Sequence, residues 1–139
     1  MMADVAYIAL GSNLGNREAA LSRAREAISS IRDTQLIRAT AVEETEPIGP
    51  GPQGAYLNQM VSVSTTLPPR TLLSALHRIE RAAGRVRASK WGPRTLDLDI
   101  VMIDGKPYCD EALTIPHPEL PNREFWKRQL LELGGSVHG

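Results

Sequence analysis

Trp91-Gly92-Pro93-Arg94-Thr95-Leu96-Asp97-Leu98-Asp99-Ile100 changes character halfway along, from a basic loop to a strict alternation of apolar and acidic residues. As a strand, its second half turns Leu96, Leu98 and Ile100 to one side and Asp97 and Asp99 to the other. The two carboxylates then stand roughly 6–7 Å apart at the backbone, close enough to repel each other and to call for cations. The residues leading into them supply positive charge: Arg78, Arg81, Arg85, Arg87, Lys90 and Arg94 are opposed only by Glu80. Cationic side chains running into paired acids suit a metal–polyphosphate complex. The same alternation also describes any half-exposed antiparallel strand, where two solvated aspartates need no function. Against that plainer account, Asp is disfavoured in strands and brings no visible structural return here.

The rest of the chain bounds what this stretch can serve. Its 139 residues suit one domain, 1–139, with a core of its own. Lys plus Arg and Asp plus Glu both number 16, so the net charge is zero. Zero net charge argues against broad nucleic-acid binding and makes the local basic cluster more telling. A single cysteine, Cys109, excludes an internal disulfide and a cysteine-rich metal site, and suits a reducing cytoplasm. No stretch approaches the roughly 20 apolar residues of a membrane helix, and no basic segment with a long apolar run opens the chain. A soluble, unexported protein is expected.

Taken in order, Val5–Leu10 reads as a buried strand that stops at Gly11-Ser12-Asn13-Leu14-Gly15-Asn16. This turn fits neither the spaced glycines of a dinucleotide loop nor the lysine-ended phosphate loop. Asn16 is placed to cap a helix over about 16–31, with Leu21, Ala24, Ile28 and Ile31 at helical spacing. A strand near Leu36–Glu44 follows. Three prolines and three glycines in Pro47–Ala55 make a loop. The strand Tyr56–Thr65 then sets Leu57, Val61, Val63 and Thr65 on one face, and Tyr56, Asn58 and Met60 on the other. A ring and a carboxamide pointing the same way suit a flat heteroaromatic ligand, though a packed edge aromatic beside a turn-adjacent polar residue is the more ordinary arrangement. Pro68-Pro69 opens a helix carrying Leu72, Leu76, Ile79 and Ala83, which ends at Gly84. After the acidic strand, Asp104-Gly105 signals a turn with a hairpin return through Pro107-Tyr108, and a short helix is expected at about 122–133. The order is that of an α+β, ferredoxin-like βαββαβ sandwich: helices on one face of an antiparallel sheet, plus a C-terminal hairpin strand and short helix.

Five segments in this order carry a family resemblance: Gly11-Ser-Asn-Leu14, Tyr56-Leu-Asn58, Gly84-Arg-Val-Arg87, Trp91–Ile100, and Ile115-Pro-His117 with Asn122-Arg-x-Phe125. Together they resemble the 6-hydroxymethyl-7,8-dihydropterin pyrophosphokinases of folate biosynthesis, over nearly the whole chain. The resemblance implies a ferredoxin-like core and transfer of pyrophosphate from ATP to the hydroxymethyl group of the pterin, releasing AMP. It implies that Asp97 and Asp99 hold two magnesium ions, and that Arg85 and Arg94 approach the phosphates during chemistry. On the ATP side it implies Leu73, His77, Glu80, Arg87, Trp91, Arg94, Ile100, Thr114, His117 and Arg123. On the pterin side it implies Thr45, Pro47, Ile48, Tyr56, Asn58, Trp91 and Phe125, with Tyr56 and Phe125 sandwiching the ring while Asn58 reads its edge. The implied enzyme is cytoplasmic and monomeric, with small-molecule substrates and neither nucleic-acid nor membrane partners. No general base stands out.

The chain departs from the family pattern at Glu46, where Thr-Pro-Pro is common, at Ala112 and Pro118, and in the less apolar Phe125–Leu133. None of these positions touches the paired acids. Two other classes compete: a ferredoxin-like binding module with a dead site, and a kinase that moves one phosphoryl group. Few aromatics on the middle strands weigh against RNA. The lack of either nucleotide-loop signature weighs against the ordinary kinase.

Overall fold

The computed structural model describes residues 2–13, 15–46, 55–84 and 96–136. The first strand, β1 (Asp4–Ser12), runs through the middle of the sheet and pairs antiparallel on both sides. Asn16 caps α1 (Arg17–Ser29), its side-chain oxygen accepting the Ala19 N–H at 3.1 Å. The chain returns through β2 (Thr34–Ala39) and β3 (Glu43–Thr45), both paired with β4 (Tyr56–Thr65). Pro68 and Pro69 then start α2 (Pro69–Ala82), which stops before Gly84 at φ +83°. The acidic strand is β5 (Asp97–Ile103). The main sheet has the order β2–β4–β1–β5, with β3 beside β4. Every neighbouring pair is antiparallel, the topology of a ferredoxin-like α+β sandwich.

Alternation sorts the sheet's side chains between two cores. Ala6, Ile8 and Leu10 of β1, Val61 and Val63 of β4, and Leu98 and Ile100 of β5 meet Leu21, Ala24 and Ile28 of α1 and Leu72 and Leu76 of α2. Tyr7, Ala9, Met60, Val101 and Met102 face the other way, onto α3 (Glu124–Glu132) through Trp126 and Leu130. A 3-10 turn, Leu120–Asn122, precedes α3 and buries Leu120 in the same second core.

Two expectations are corrected. The strand expected near Leu36–Glu44 is two strands, because the ladder with β4 is interrupted between Ala39 and Glu43. There the Thr40 hydroxyl, rather than a backbone carbonyl, accepts the Met60 N–H at 3.1 Å. The turn at Asp104-Gly105 forms, with Gly105 at φ +65°, yet the return through Tyr108 does not pair with β5. Instead β6 (Tyr108–Cys109) pairs with β7 (Thr114–Ile115) in a separate two-stranded ribbon. Asp110 organises that ribbon, accepting from the Tyr108 hydroxyl, Arg70 at 2.8 Å, and the Ala112 and Leu113 N–H groups at 2.8 and 2.9 Å. The two helices of the βαββαβ core do share one face, as expected, and the additional short helix α3 covers part of the opposite face.

Candidate functional site

The part of that second face left open by α3 gathers most of the described residues singled out by the sequence. Register places them in rows. Asn58 of β4 and Asp97 of β5 both pair with Gly11 of β1, so their side-chain positions lie in one line across three strands. Met60, Ala9 and Asp99 form the next line. Both acids are half-buried on the side opposite the helices, as the alternation requires. Beneath them Leu98 and Ile100 are 3% and 1% exposed and anchor the strand in the first core.

Gly11 makes the floor between the pterin-type and acidic positions. A methyl group there would come within 3.4 Å of Asn58 Oδ1 and 3.5 Å of the Tyr56 ring. Along the adjacent edge Asn58 Nδ2 donates to the Thr45 hydroxyl, which leaves the Asn58 oxygen toward Gly11. Tyr56 stands over the same row. Its phenol is pushed above its ordinary range by burial first and by the Asp97 charge second, with Arg123 acting in the opposite sense. A neutral ring within electrostatic reach of both a carboxylate and a guanidinium is what the face presents.

The α3 side adds the basic partners. His117 is fixed three ways. Its N–H donates to Val101 O at 2.9 Å, its Nδ1 accepts the Glu119 N–H at 3.0 Å, and its ring stands edge-on to Trp126 at 5.0 Å and 86°. With Nδ1 used as an acceptor, the neutral ring carries its proton on Nε2. That nitrogen lies 3.7 Å from Asp99 Oδ1, too long for a hydrogen bond and close enough for attraction. Arg123 lies over the other side of Trp126's reach, its guanidinium carbon 4.3 Å from the ring centroid. Its Nε is buried without a hydrogen-bond partner. Phe125, half-buried, meets Trp126 edge-on at 6.3 Å. Trp126, 3% exposed, therefore underlies both basic side chains.

The remaining positions separate. Leu73 packs partly against the first core and His77 is exposed on α2. Thr114 is half-buried in β7, near Cys109. Ile100 is taken up by the first core. Glu80, 4% exposed, turns inward, and its Oε2 accepts the Leu98 N–H at 2.8 Å. Arg85, Arg87, Trp91, Arg94, Pro47 and Ile48 lie outside the described residues. A groove of about 830 Å³ between α1 and α2, edged by Arg23, Arg32 and Arg78, is on the far face of the sheet and is lined by none of the candidate site residues.

Sequence reasoning passed over three contributors. Gly11 was read only as part of a turn and of a family motif, with no role of its own. Trp126 stood beside Phe125, and adjacent helical residues face different directions. Glu43 carries a bidentate pair with Arg128, at 2.9 and 2.7 Å, that binds α3 to the β3 edge. Among the described residues no three His, Cys, Asp or Glu side chains converge as a metal cage. Two hard carboxylates on one face do fit magnesium, which keeps few protein ligands and completes its octahedron with water and phosphate oxygens.

A family model described as 7,8-dihydro-6-hydroxymethylpterin-pyrophosphokinase matches residues 7–135. A 2-amino-4-hydroxy-6-hydroxymethyldihydropteridine pyrophosphokinase of Haemophilus influenzae is 42% identical over 132 residues, covering 95% of this chain and 82% of that protein. The protein of that name from Bacillus subtilis is 38% identical over 132 residues, covering 95% of this chain and 79% of its own. Folic acid synthesis protein fol1 of Pneumocystis carinii is 38% identical over 134 residues, which are 96% of this chain and 18% of that protein.

Proposed function

Because the chain belongs to the 7,8-dihydro-6-hydroxymethylpterin-pyrophosphokinase family, we propose that its open sheet face brings the pterin hydroxyl and the ATP polyphosphate together along the Asn58–Gly11–Asp97 row. The reaction is that of the family, in folate biosynthesis: pyrophosphate passes from ATP to the hydroxymethyl group of the dihydropterin, and AMP leaves. One observation supports this division of the site most strongly. The ring-reading amide and the first acid share a register line two strand spacings apart, about 10 Å. That span fits a bicyclic ring ending in a hydroxymethyl group at one end and a phosphate chain at the other.

In this reading Tyr56 and Phe125 hold the ring by its faces, and Asn58 with Thr45 reads its edge. Asp97 and Asp99 would hold magnesium, which when bound screens the phosphate charge and polarises the β-phosphorus. The pterin hydroxyl oxygen attacks that phosphorus in line, and the bond to the bridging oxygen of the α-phosphate breaks. His117 aims an Nε2–H, and Arg123 a guanidinium, at the side where negative charge accumulates on the leaving AMP. Trp126 keeps both oriented. Arg85 and Arg94 would add donors to the transferring group, each worth about 10²–10³ in rate by analogy with other preorganised donors. Residues 1–139 act as one domain, a cytoplasmic monomer. The exposed free Cys109 accords with that placement.

The test is to incubate the protein with magnesium, ATP and the hydroxymethyl dihydropterin and to identify the nucleotide product. AMP is expected; ADP would make it an ordinary kinase, and no turnover would make it a binding module. Excess chelator should stop AMP release, and added magnesium should restore it.

A further inference from the structure

Glu80 is an expensive residue where it stands. It lies in the last turn of α2, where the helix dipole opposes an anion, and it is 4% exposed. Its Oε2 takes the Leu98 N–H at 2.8 Å, a short charge-assisted bond. Leu98 is the residue between Asp97 and Asp99, and β5 is the edge of the sheet, with β1 as its strand neighbour.

Ladder geometry gives this bond its consequence. In an antiparallel edge strand, alternate residues direct their N–H and C=O groups inward to the neighbour and outward to the open edge. The Leu98 N–H points outward, since Glu80 accepts it, so the flanking residues Asp97 and Asp99 are the ones whose backbone pairs with Gly11 and Ala9 of β1. An unclaimed outward N–H would leave this segment held from one side only. Further along the same edge the His117 N–H claims Val101 O. The first tie on β5 thus lies between the two acids, and the second lies two residues beyond Asp99. One comes from the helix layer and fixes the peptide between the two carboxylates; the other fixes the segment bearing His117.

We propose that Glu80 is a positioning residue: from the opposite face of the sheet it sets the spacing and direction of Asp97 and Asp99 as a metal seat. The inference rests on the reading of those aspartates as magnesium ligands, and its test keeps the two apart. Glu80→Asp retains the charge and withdraws the carboxylate by about one carbon–carbon bond, 1.5 Å. Glu80→Gln retains the reach and loses the charge. Both are compared with the wild type and with Asp97→Ala. Binding of Mn²⁺ is followed by electron paramagnetic resonance in the presence of an ATP analogue with a methylene bridge between its α and β phosphorus atoms. Exchange of the Leu98 amide is followed by NMR.

Outer partners of metal ligands are typically worth about 10–100-fold in affinity, so Glu80→Asp should weaken Mn²⁺ binding by about tenfold and speed Leu98 exchange. Glu80→Gln should lie closer to the wild type on both counts. If Glu80→Asp binds Mn²⁺ as the wild type does, whatever its thermal stability, Glu80 only plugs the sheet edge and the proposal fails. It also fails if Glu80→Gln is the worse of the two, because charge rather than reach would then be acting. Undiminished Mn²⁺ binding by Asp97→Ala would instead overturn the metal assignment itself.

Discussion

Gly11 is central to the ligand face because of the space it leaves. Its neighbours across the ladder are Asn58 and Asp97, and a methyl group at that point would touch the Asn58 oxygen and the Tyr56 ring. Both are ordinary contact distances, so Gly11→Ala should fold normally, and its effect should fall on the pterin, whose space above the row the methyl group takes. Steady-state kinetics would check this, with KM for the pterin rising more than KM for ATP. Asp97→Ala and Asp99→Ala should each abolish detectable AMP release while circular dichroism stays native, since both side chains leave the core untouched. Near-normal turnover in either variant would remove it from the site. These two acids were legible in the sequence because a strand's period of two lets side-chain direction be read from spelling alone. Gly11 was not, since an absent side chain becomes informative only when its neighbours across the ladder are known.

Among the elements, α3 has the largest influence on the site relative to its size. Trp126 fills the second core and carries His117 and Arg123 on its ring. Trp126→Ala should cost about 3–5 kcal/mol in urea unfolding and weaken ATP more than pterin binding. A second fastening, Glu43–Arg128, ties the same helix to β3. The hydrogen bonds from Arg128 hold the Glu43 carboxyl below its ordinary 4.5. Its stabilisation is thus fully present above 4.5 and is lost as the pH falls through the lowered folded-state value. The pair is partly solvated, so the melting-temperature gap between wild type and Glu43→Gln should be a few degrees at most at neutral pH and should close in acid. Amphipathic spacing foretold α1 and α2, and a short helix was expected where α3 forms, yet nothing in the sequence said which face of the sheet α3 covers. That choice depends on Tyr7, Met60 and Met102, residues distant in the chain. The interruption at Thr40 and the pairing of Tyr108 escaped for a similar reason: a hydroxyl replacing a carbonyl, and a ribbon closed by Asp110, are tertiary solutions. Glu80 was legible as an acid in the right neighbourhood; its inward direction was not.

At the scale of the whole molecule, one sheet separates two cores and serves as a wall of both. Strands β1, β4 and β5 each contribute residues to both sides, so neither core can be lost without the other. Urea unfolding should accordingly show one midpoint, whether followed by far-ultraviolet circular dichroism or by Trp126 fluorescence in a Trp91→Phe background. Distinct midpoints would mean that α3 detaches first. The match to fol1, which spans 96% of this chain and 18% of that protein, shows the same unit occurring inside a much longer polypeptide.

The sheet changes its demands along β5, and the bulge at Val101 absorbs the change. Ile100 pairs with Ile8 and Met102 with Tyr7, so Val101 is supernumerary in the ladder. Loss of codon 101 would let the strand close into an unbroken ladder with both acids in place, sacrificing the carbonyl that anchors His117. Loss of codon 98 would instead drag Asp97 to the partner position of Leu10, among the apolar side chains of the first core. Two deletions three codons apart thus have opposite fates: one is survivable by the fold and damaging to the site, and the other is intolerable to both. Length variation in this strand should collect at the bulge.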